Sequence, residues 1–364
     1  MIRLLDARDA ALFDRLRAAR AAGDVPLVRD ERWPAAQRTT IEQWARTATP
    51  PADAGWATAT SGTSGSPRIV LRTAASWSAS HAAVAALLDA GPGDAVALPA
   101  PASSSLTLYS LAHALEGGPR PAPGQVGADA THLHGTPESL RQALEARPAR
   151  LRSALIGGSH LDPALRQRAE SAGIRVVAYY GAAELSFVAV DDGSGLRAFP
   201  GVELRVVDGV LWVRSPYVAL GYSGARPGPL RTHDGWATVG DRAELVDGRL
   251  RLLGRDDDAV LSASATIVPE EVEAVLRSAD GVRDAVVFGV ERAPVGALVA
   301  ALIEPSASGT APLARLRDLA GEQLAPAHRP RLWFVGAVPR TAAGKPARAE
   351  VARRAAAGEL VRLG

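Results

Sequence analysis

The segment ALIGGSHLDPALRQRAESAGIRVVAY, residues 154–179, alternates between strand-like and helix-like sequence. Its two apolar runs, Ala154–Ile156 and Val176–Tyr179, have the length and composition of buried strands. The stretch between them, Pro163–Ala172, has the character of a helix. Strand, helix and strand in this order predict an α/β layer built on a parallel sheet.

The same alternation begins near Ala57. It includes the apolar run Ala95–Leu98 and the helical stretch Glu138–Glu145. Further upstream, the spacing of apolar residues predicts an amphipathic helix over Ala11–Ala21. The residues from there to about Gly55 are rich in Pro, Ala and Asp, which predicts a linker.

The pattern changes between Val202 and Leu253, where short alternating strands are separated by the turn pairs Asp208-Gly209 and Asp247-Gly248. This region is predicted to form a β-rich subdomain. After Asp258, the sequence predicts a compact α+β unit of about a hundred residues, the size of a small domain. Its predicted elements are a helix (Pro269–Ser278), two strands (Ala285–Val290 and Leu298–Ile303), a helix (Pro312–Leu324) and a strand (Leu332–Val338).

A chain of 364 residues is too long for one typical domain. We therefore predict two domains, residues 1–256 and residues 257–364, with the boundary at Asp257. The predicted fold class is α/β: a large N-terminal α/β domain with a β-rich subdomain, followed by a small α+β C-terminal domain.

The composition excludes several classes of protein. The net charge is only +2 and no dense basic stretch is interleaved with aromatic residues, so we predict no nucleic-acid partner. The absence of cysteine excludes thiolate nucleophiles, cysteine-ligated zinc and disulfides, and it agrees with a cytoplasmic location. Prolines and serines interrupt the most apolar long run, Ala95–Leu115, which predicts a buried segment and no membrane span.

Several aromatic and imidazole side chains have both a structural and a functional interpretation. Four tryptophans occur within apolar patterns and are interpreted as packing residues: Trp77, Trp212, Trp236 and Trp333. His132 and His134 could share one strand face as metal ligands, but no third ligand follows from the spacing. We interpret both as neighbours of a binding pocket or as structural residues.

The chain has a single lysine, Lys345, whereas its other permanently cationic side chains are all arginines. Gly344 before it and Pro346 after it place this lysine in a constrained loop. A compact ammonium held in this way suits a phosphate or a carboxylate. A Walker A loop requires Ser or Thr after its lysine, so a P-loop NTPase is excluded. A pyridoxal enzyme forms a Schiff base with a lysine and could use only Lys345 here, so the sequence disfavours this class of enzyme.

A second candidate anion site is the run Thr60-Ser61-Gly62-Thr63-Ser64-Gly65-Ser66-Pro67-Arg68. Its glycines let the backbone approach an anion closely, its hydroxyl and N–H groups donate hydrogen bonds, and its arginine adds charge. The run is therefore predicted to form a phosphate-binding loop.

Five motifs together resemble the adenylate-forming superfamily, which includes acyl-CoA synthetases, adenylation domains of peptide synthetases, and luciferases. They occur in the family's order and span residues 60–348: the loop Thr60–Arg68, Tyr179–Glu184, Gly240-Asp241, Gly254–Asp258 and the Lys345 segment. The portion before the loop is shorter than in most of the family, as in the short o-succinylbenzoate-CoA ligases of some bacteria.

The resemblance implies a reaction in which ATP and a carboxylic acid give acyl-AMP and pyrophosphate, after which the acyl group passes to a thiol. It implies that Lys345 bridges the substrate carboxylate and the α-phosphate and that Glu184 holds Mg²⁺. The implied ATP-binding residues are Thr60, Ser61, Gly62, Thr63, Ser64, Gly65 and Arg68 at the phosphates, Tyr180 against the adenine with Gly157 and Gly158 allowing close backbone approach, Asp241 and Arg255 at the ribose, and Gly181.

The resemblance also implies that the C-terminal domain is mobile and swings about Asp257 between the two half-reactions. The implied acyl pocket is built from small or apolar residues and includes Ser103, His134, Ala182 and Phe187. Because no cation is evident there, the sequence disfavours a dicarboxylate such as o-succinylbenzoate and leaves the acid open.

Some positions depart from the family pattern. Arg68 and Ile69 replace a lysine and a glycine, and Ser103 stands where many relatives have a histidine. Ala183 replaces a threonine before the motif glutamate, which removes one hydroxyl contact to phosphate, and Ser264 stands where a glycine is expected.

We predict an AMP-forming acid-thiol ligase whose second product is an acyl-CoA thioester. Two alternatives are an enzyme that loads carrier-protein phosphopantetheine or an amine, and a non-catalytic nucleotide-binding relative. The predicted partners are a small carboxylic acid and CoA or an acyl carrier protein, and a homodimer is left open.

Overall fold

The computed structural model describes residues 1–33, 35–60, 68–124, 126–223, 228–255, 260–262, 265–267, 269–291, 297–306, 312–341 and 344–363. The strands, in chain order, are β1 (Ile2–Asp6), β2 (Val25–Arg29), β3 (Ala54–Thr60), β4 (Arg68–Thr73), β5 (Ala95–Leu98), β6 (Arg120–Pro123), β7 (His132–Gly135), β8 (Ser153–Ile156), β9 (Arg175–Ala182), β10 (Ser186–Asp191), β11 (Arg197–Ala198), β12 (Glu203–Val207), β13 (Val210–Arg214), β14 (Gly221–Ser223), β15 (Arg231–His233), β16 (Trp236–Thr238), β17 (Asp241–Val246), β18 (Arg249–Arg255), β19 (Val260–Ser262), β20 (Ala265–Ile267), β21 (Val282–Glu291), β22 (Ala297–Pro305), β23 (Leu332–Val335) and β24 (Val361–Arg362). The helices are α1 (Leu12–Ala21), α2 (Ala35–Thr47), α3 (Ala75–Ser78), α4 (His81–Leu88), α5 (Ser105–Leu115), α6 (Pro137–Ala146), α7 (Pro163–Ser171), α8 (Pro269–Arg277), α9 (Leu313–Gln323) and α10 (Arg348–Ala356).

The chain divides into two compact units. The first comprises Met1–Val239, Leu245–Arg251 and Ala342–Gly344, and the second comprises Gly240–Glu244, Leu252–Thr341 and Lys345–Gly364. The predicted hinge Asp257 lies outside the described residues, so the division into residues 1–256 and 257–364 stays a prediction.

The predicted parallel sheet is confirmed in the first unit. Its strand order is β11-β10-β9-β8-β7-β5-β6. The five strands from β9 to β6 are parallel to one another, and β10 pairs antiparallel with both β9 and β11. Helices α6 and α7 bury Leu140, Ala143, Leu165 and Ala169 in a core shared with β7, β8 and β9. The alternation of strand and helix therefore folds as the periodicity predicted.

Local capping explains where α6 and α7 begin. The Thr136 side chain accepts a hydrogen bond from the backbone N–H of Ser139, and Asp162 accepts one from Ala164. A proline follows each of these capping residues, where its missing N–H costs no helical hydrogen bond. Both helices thus begin at a residue set by the local sequence.

The predicted linker between Ala21 and Gly55 is wrong. These residues form β2 and α2, and β2 lies between β1 and β3 in a second sheet of order β1-β2-β3-β4-β14. Helix α2 fully buries only Ile41 and Ala45, so its apolar periodicity is weak. Strand β2 is stabilised by strands distant in sequence, which a local pattern does not reveal.

The β-rich region is confirmed as a third sheet of order β15-β16-β13-β17-β18, with β12 pairing β13. Both predicted Asp-Gly turns have positive φ at both residues: 52° and 74° at Asp208-Gly209, and 50° and 73° at Asp247-Gly248. These angles are those of the turns that connect tight hairpins, and Gly and Asp tolerate them better than most residues.

The predicted C-terminal elements are also confirmed. Strands β21, β22, β23 and β24 form one sheet, and separate apolar clusters lie on its two faces. Residues of α8 and α9 belong to one cluster, and Val351 of α10 belongs to the other. Among the helices that the structure describes, none combines the length and apolarity needed to cross a membrane.

The interpretation of the four tryptophans is confirmed for two of them. Trp77 and Trp333 are buried, whereas Trp212 and Trp236 are only half-buried and lie beneath arginine side chains. Strand alternation places Trp212 and Trp236 on the outer face of their sheet, where they pack against arginine side chains and not in the core.

Candidate functional site

Two predicted motifs meet at one edge of the parallel sheet. Gly157 and Gly158 directly follow β8, and the segment from Tyr180 to Glu184 includes the end of its neighbour β9. The register pairs Ile156 with Ala178, so the two carboxyl ends lie side by side. In open α/β sheets, ligands bind outside this edge.

Close packing within the protein explains two of the glycines. A Cβ atom on Gly157 would lie 2.2 Å from the ring of Tyr179, and one on Gly181 would lie 2.1 Å from the carbonyl oxygen of Ser186. Both positions therefore require glycine for contacts inside the fold. The predicted approach of these glycines, and of Tyr180, to an adenine ring stays a prediction.

Glu184 is a buried carboxylate, only 7% exposed, with a defined hydrogen-bond partner. Its Oε1 accepts a hydrogen bond of 2.9 Å from the hydroxyl of Tyr222, and that hydroxyl accepts one of 3.1 Å from the Leu230 N–H. The Glu184 carbonyl accepts a 2.7 Å bond from the N–H of Ala219. Backbone and side chain are thus both held in place.

Arg72 is a second charged group beneath this segment, and sequence reasoning missed it. Its guanidinium donates to the carbonyl oxygens of Ala183 and Tyr217 and to the hydroxyl of Ser76. It also lies 5.0 Å from the ring centroid of Trp77. A cation therefore fixes the peptide that directly precedes Glu184.

The environment of Arg72 is unusual for a charge. The side chain is only 1% exposed, and its Nε has no hydrogen-bond acceptor among the described residues. Burial lowers its pKa to about 9, while the nearby charge of Glu184 acts in the opposite direction. The guanidinium is still charged at neutral pH. The signal available in the sequence was an arginine directly after the apolar run Ile69–Leu71.

The ends of the predicted phosphate loop are brought together. Thr60 at the end of β3 is paired with Arg68 at the start of β4 in an antiparallel register. The residues between them, including Ser61, Gly62, Thr63, Ser64 and Gly65, lie outside the described part of the chain. Their assignment to phosphate binding stays a prediction.

Two residues of the predicted acyl pocket belong to one aromatic cluster. The ring of Phe187 lies 6.3 Å from that of His134 and 4.7 Å from that of Tyr179, centroid to centroid. Ser103 makes a different contact, a 2.9 Å hydrogen bond to the carboxylate of Asp30. Ala182 is half-buried at the end of β9. The structure thus groups His134 with Phe187 and gives Ser103 a separate polar partner.

The metal interpretation of the two histidines finds no support. His132 bonds Thr131 and the carbonyl of Asp89, and His134 bonds Ser110 and Tyr179, so all four ring nitrogens have partners. Burial lowers the pKa of His134 to about 3, so its imidazole is neutral at physiological pH. Within the described ranges, no three His, Asp or Glu side chains are grouped as metal ligands.

Lys345 lies on a short hairpin of the second unit. The N–H of Thr341 donates to the Lys345 carbonyl at 2.8 Å, and the Ala347 N–H donates to that of Pro339 at 2.7 Å. Gly344 has a φ of 79°, in the left-handed region that favours glycine. The Lys345 side chain is exposed. A compact hairpin therefore presents the single lysine, which agrees with the constrained loop expected from Gly344 and Pro346.

Two arginines anchor this hairpin. Arg340 pairs with buried Asp284 at 2.5 Å, and Arg348 pairs with buried Glu273 at 2.8 Å. Burial by itself raises the pKa of Asp284, but Arg277 and Arg340 outweigh it and hold the pKa below its ordinary value. The Lys345 hairpin is thus fixed on both sides by ion pairs to the α+β core.

The two predicted ribose-binding residues lie on the neighbouring strands β17 and β18. Asp241 is buried at the start of β17, directly after Gly240, whose φ is 83°. Arg255 ends β18. Their assigned contacts with a sugar stay predictions.

A cavity of about 420 Å³ lies elsewhere in the first unit, lined by Trp44, Thr47, Ala48, Thr49, Pro51, Leu71, Tyr222 and Ser223. Tyr222 connects it to the residues described above. None of these lining side chains is charged, so the cavity does not suit an anionic ligand.

The bond between Tyr222 and Glu184 allows a direct test. On the role with Mg·ATP that the family resemblance implies for Glu184, Tyr222→Phe should lower kcat/KM for Mg·ATP by about 10- to 150-fold, because a hydrogen bond to a charged group contributes roughly 1.5–3 kcal/mol. Tyr217→Phe is the matched control, since its hydroxyl bonds the backbone carbonyl of Pro200 at 2.7 Å. Equal losses of activity in the two variants would contradict a specific role for Tyr222.

The architecture and the motifs at the sheet edge are those of the adenylate-forming enzymes. The sequence profile of the AMP-binding enzyme family matches residues 4–223, and that of the AMP-binding enzyme C-terminal domain matches residues 271–345. This chain belongs to the AMP-binding enzyme family.

Two relatives support the assignment, and one solved structure shares the fold. The 2-succinylbenzoate–CoA ligase of Salmonella typhimurium is 32% identical over 76% of this chain and 63% of its own length. A Mycobacterium tuberculosis protein named "Probable 2-succinylbenzoate–CoA ligase" is 32% identical over 81% of this chain and 83% of its own. The structure of a variant of Escherichia coli MenE with bound OSB-AMS has a TM-score of 0.83 at 22% identity, covering 97% of this chain and 87% of that one. The chain thus spans less than two thirds of the Salmonella relative.

Proposed function

We propose that this protein is an ATP-dependent carboxylate ligase. It converts a carboxylic acid to an acyl-AMP with release of pyrophosphate and then passes the acyl group to the thiol of coenzyme A. The observation that carries the proposal is the buried carboxylate of Glu184, held by Tyr222 and fixed beneath by Arg72 at the carboxyl edge of a parallel sheet. The names of the similar ligases agree with this activity.

The reaction requires cations that neutralise the negative charge of its reactants and of the leaving group. Attack of a carboxylate on the α-phosphate brings two anions together, and the departing pyrophosphate carries further negative charge. The ammonium of Lys345 would lie between carboxylate and α-phosphate and stabilise charge in the transition state. Arg68 would supply a second cation at the end of the phosphate loop, and Asp241 and Arg255 would orient the ribose.

The residues present fit a magnesium ion carried by ATP. A carboxylate is a hard oxygen ligand of the kind that Mg²⁺ prefers, and Mg²⁺ usually binds through one or two such groups together with phosphates. Glu184 is the carboxylate at this edge. When bound, the ion would neutralise phosphate charge. The protein's own contribution is to hold Glu184, through Tyr222 and through the peptide that Arg72 fixes.

Arg72 also bears on the altered motif. Ala183 lacks the hydroxyl that the family usually has at this position, yet its carbonyl accepts a hydrogen bond from a buried guanidinium. The segment before Glu184 is therefore ordered by a charged donor from below. This arrangement supports a working enzyme over a non-catalytic nucleotide-binding relative.

The second half-reaction needs Lys345 to leave the site. A swing of residues 257–364 about Asp257 would achieve this, as the family resemblance implies. The acceptor of the acyl group is proposed to be free CoA, with a carrier-protein phosphopantetheine or an amine as the alternatives.

Pyrophosphate release from Mg·ATP tests the proposal. The assay should use a panel of carboxylic acids that includes 2-succinylbenzoate, with and without CoA, and Lys345→Ala as the blank. We expect acid-dependent release that disappears in the variant and a thioester product when CoA is present. ATP binding without release for any acid would contradict the proposal, and transfer to a carrier protein but not to CoA would change the acceptor.

A further inference from the structure

A cluster of arginine and tryptophan side chains covers the outer face of the β-rich region. It consists of Arg205, Trp212, Arg214, Arg231 and Trp236, which we call the Arg–Trp face, on strands β12, β13, β15 and β16. The register pairs Arg205 with Trp212 and Val213 with Ala237, so alternation places these side chains on one side of the sheet.

Four cation–π contacts connect the five residues. The Arg205 guanidinium lies 4.1 Å from the Trp236 ring centroid and 5.8 Å from that of Trp212. Arg214 lies 4.5 Å from Trp236, and Arg231 lies 5.9 Å from Trp212. Significant pairs of this kind occur about once per 70 to 80 residues, so four on a single face mark it as distinct.

The face has positive charge that its neighbours do not neutralise. Arg214 pairs with Glu203 at 3.3 Å, with both side chains exposed. Among the residues that the structure describes, neither Arg205 nor Arg231 forms an ion pair with a carboxylate; Arg205 is half-buried and Arg231 is exposed. Two guanidinium groups are therefore available to an anionic ligand.

We propose that the Arg–Trp face is a docking surface for an acidic segment of a partner protein. A guanidinium that lies over an aromatic ring keeps its in-plane N–H groups available, and these match a carboxylate with two parallel hydrogen bonds. Stacking restrains the long arginine side chains, so less conformational entropy is lost on binding. Tryptophan and arginine are also the residues most enriched at the energetically dominant positions of protein interfaces.

The spacing of the two available arginines defines the segment. The guanidinium groups of Arg205 and Arg231 lie 5.8 Å and 5.9 Å from the same ring centroid, that of Trp212, so they are at most about 12 Å apart. Two carboxylates seven residues apart lie on the same face of a helix and are roughly 10 Å apart along its axis, which is within this limit. The partner segment would thus present acidic groups at both ends and apolar groups between them, over the tryptophan rings.

Charge argues against a nucleic acid as the occupant. Binding to a phosphate backbone requires a track of cations, because each neutralised phosphate contributes separately. This face offers two available arginines, and Glu203 and Asp234 lie beside them on β12 and in the turn after β15. Such a mixture suits a segment with a few spaced carboxylates.

The test uses the full-length protein and a fluorescent synthetic helical peptide with two glutamates seven residues apart and leucines between them. A peptide with glutamine in place of glutamate and a single-stranded oligonucleotide serve as competing probes. We expect the acidic peptide to bind, and Arg205→Gln with Arg231→Gln to weaken it by about tenfold or more, with a smaller dependence on salt.

The matched control is Arg120→Gln with Arg150→Gln, which removes the same charge from exposed arginines away from this face. Circular dichroism and Tm check that both double variants are folded. No binding of the acidic peptide, equal weakening in the control variant, or preferential binding of the oligonucleotide through Arg205 and Arg231 would each overturn the proposal. The readout is independent of ligase activity, so the proposed function can fail without affecting this result.

Discussion

Lys345→Ala is expected to lower acid-dependent pyrophosphate release by about 10²–10³-fold, the usual effect of removing one preorganised group that stabilises transition-state charge. The lysine is the only one in the chain, so no second ammonium can replace it. Its hairpin is fixed by Arg340 and Arg348 on buried carboxylates, so the variant should keep its backbone. The measurement is pyrophosphate release in the steady state, together with Tm.

The rate of the second half-reaction shows whether Lys345→Ala impairs adenylation alone or the whole enzyme. Thioester formation from supplied acyl-AMP should be largely unchanged in Lys345→Ala, because the lysine is proposed to act only on the first step. Arg353→Ala is the control: it removes one exposed cation from α10, where Arg353 forms ion pairs with Glu350 and Glu359. A comparable loss in both half-reactions would contradict the assigned role.

Arg72→Met is expected to reduce both stability and activity. It leaves the Ala183 carbonyl, the Tyr217 carbonyl and the Ser76 hydroxyl without their donor in a buried site. A buried polar group without a partner costs roughly 1–3 kcal/mol, and each kcal/mol lowers Tm by about 2–4 °C in a unit of this size. Thermal unfolding should therefore show a clear decrease in Tm.

Activity distinguishes a positioning role for Arg72 from a purely structural one. Below the lowered Tm, KM for Mg·ATP should rise by about tenfold, because the peptide before Glu184 is no longer fixed. Arg72→Lys keeps the charge but lacks the planar fork, so it should recover only part of both losses. Arg150→Met, at an exposed position, should change neither quantity. A lowered Tm with unchanged KM would limit Arg72 to folding.

The backbone of the altered motif is held by a residue that is distant in the sequence. At Ala183 the sequence showed only that a hydroxyl was missing, which suggested weaker catalysis. In the fold, the same residue is bonded by Arg72, which is 111 positions away in the chain. This bond holds the backbone before Glu184 and does not depend on the side chain at position 183, so the loss of the hydroxyl leaves the position of Glu184 supported.

The sequence by itself determined the features that depend on neighbouring residues. The alternation of Ala154–Ile156, Pro163–Ala172 and Val176–Tyr179 predicted the parallel sheet, and the Asp-Gly pairs predicted the hairpins, because side-chain periodicity and allowed φ angles are local properties. The order of the five motifs predicted the family through its resemblance to known adenylate-forming enzymes.

Only the tertiary structure decided which distant side chains meet. Strand β14 pairs with β4, which places Tyr222 opposite Val70 and near Arg72, and both residues then converge on the segment Ala183-Glu184. The pairing of β2 with β1 and β3 was decided in the same way by neighbouring strands. So were the half-buried positions of Trp212 and Trp236. No local pattern specifies such pairings, because they depend on long-range packing that excludes water and selects one arrangement of the sheets.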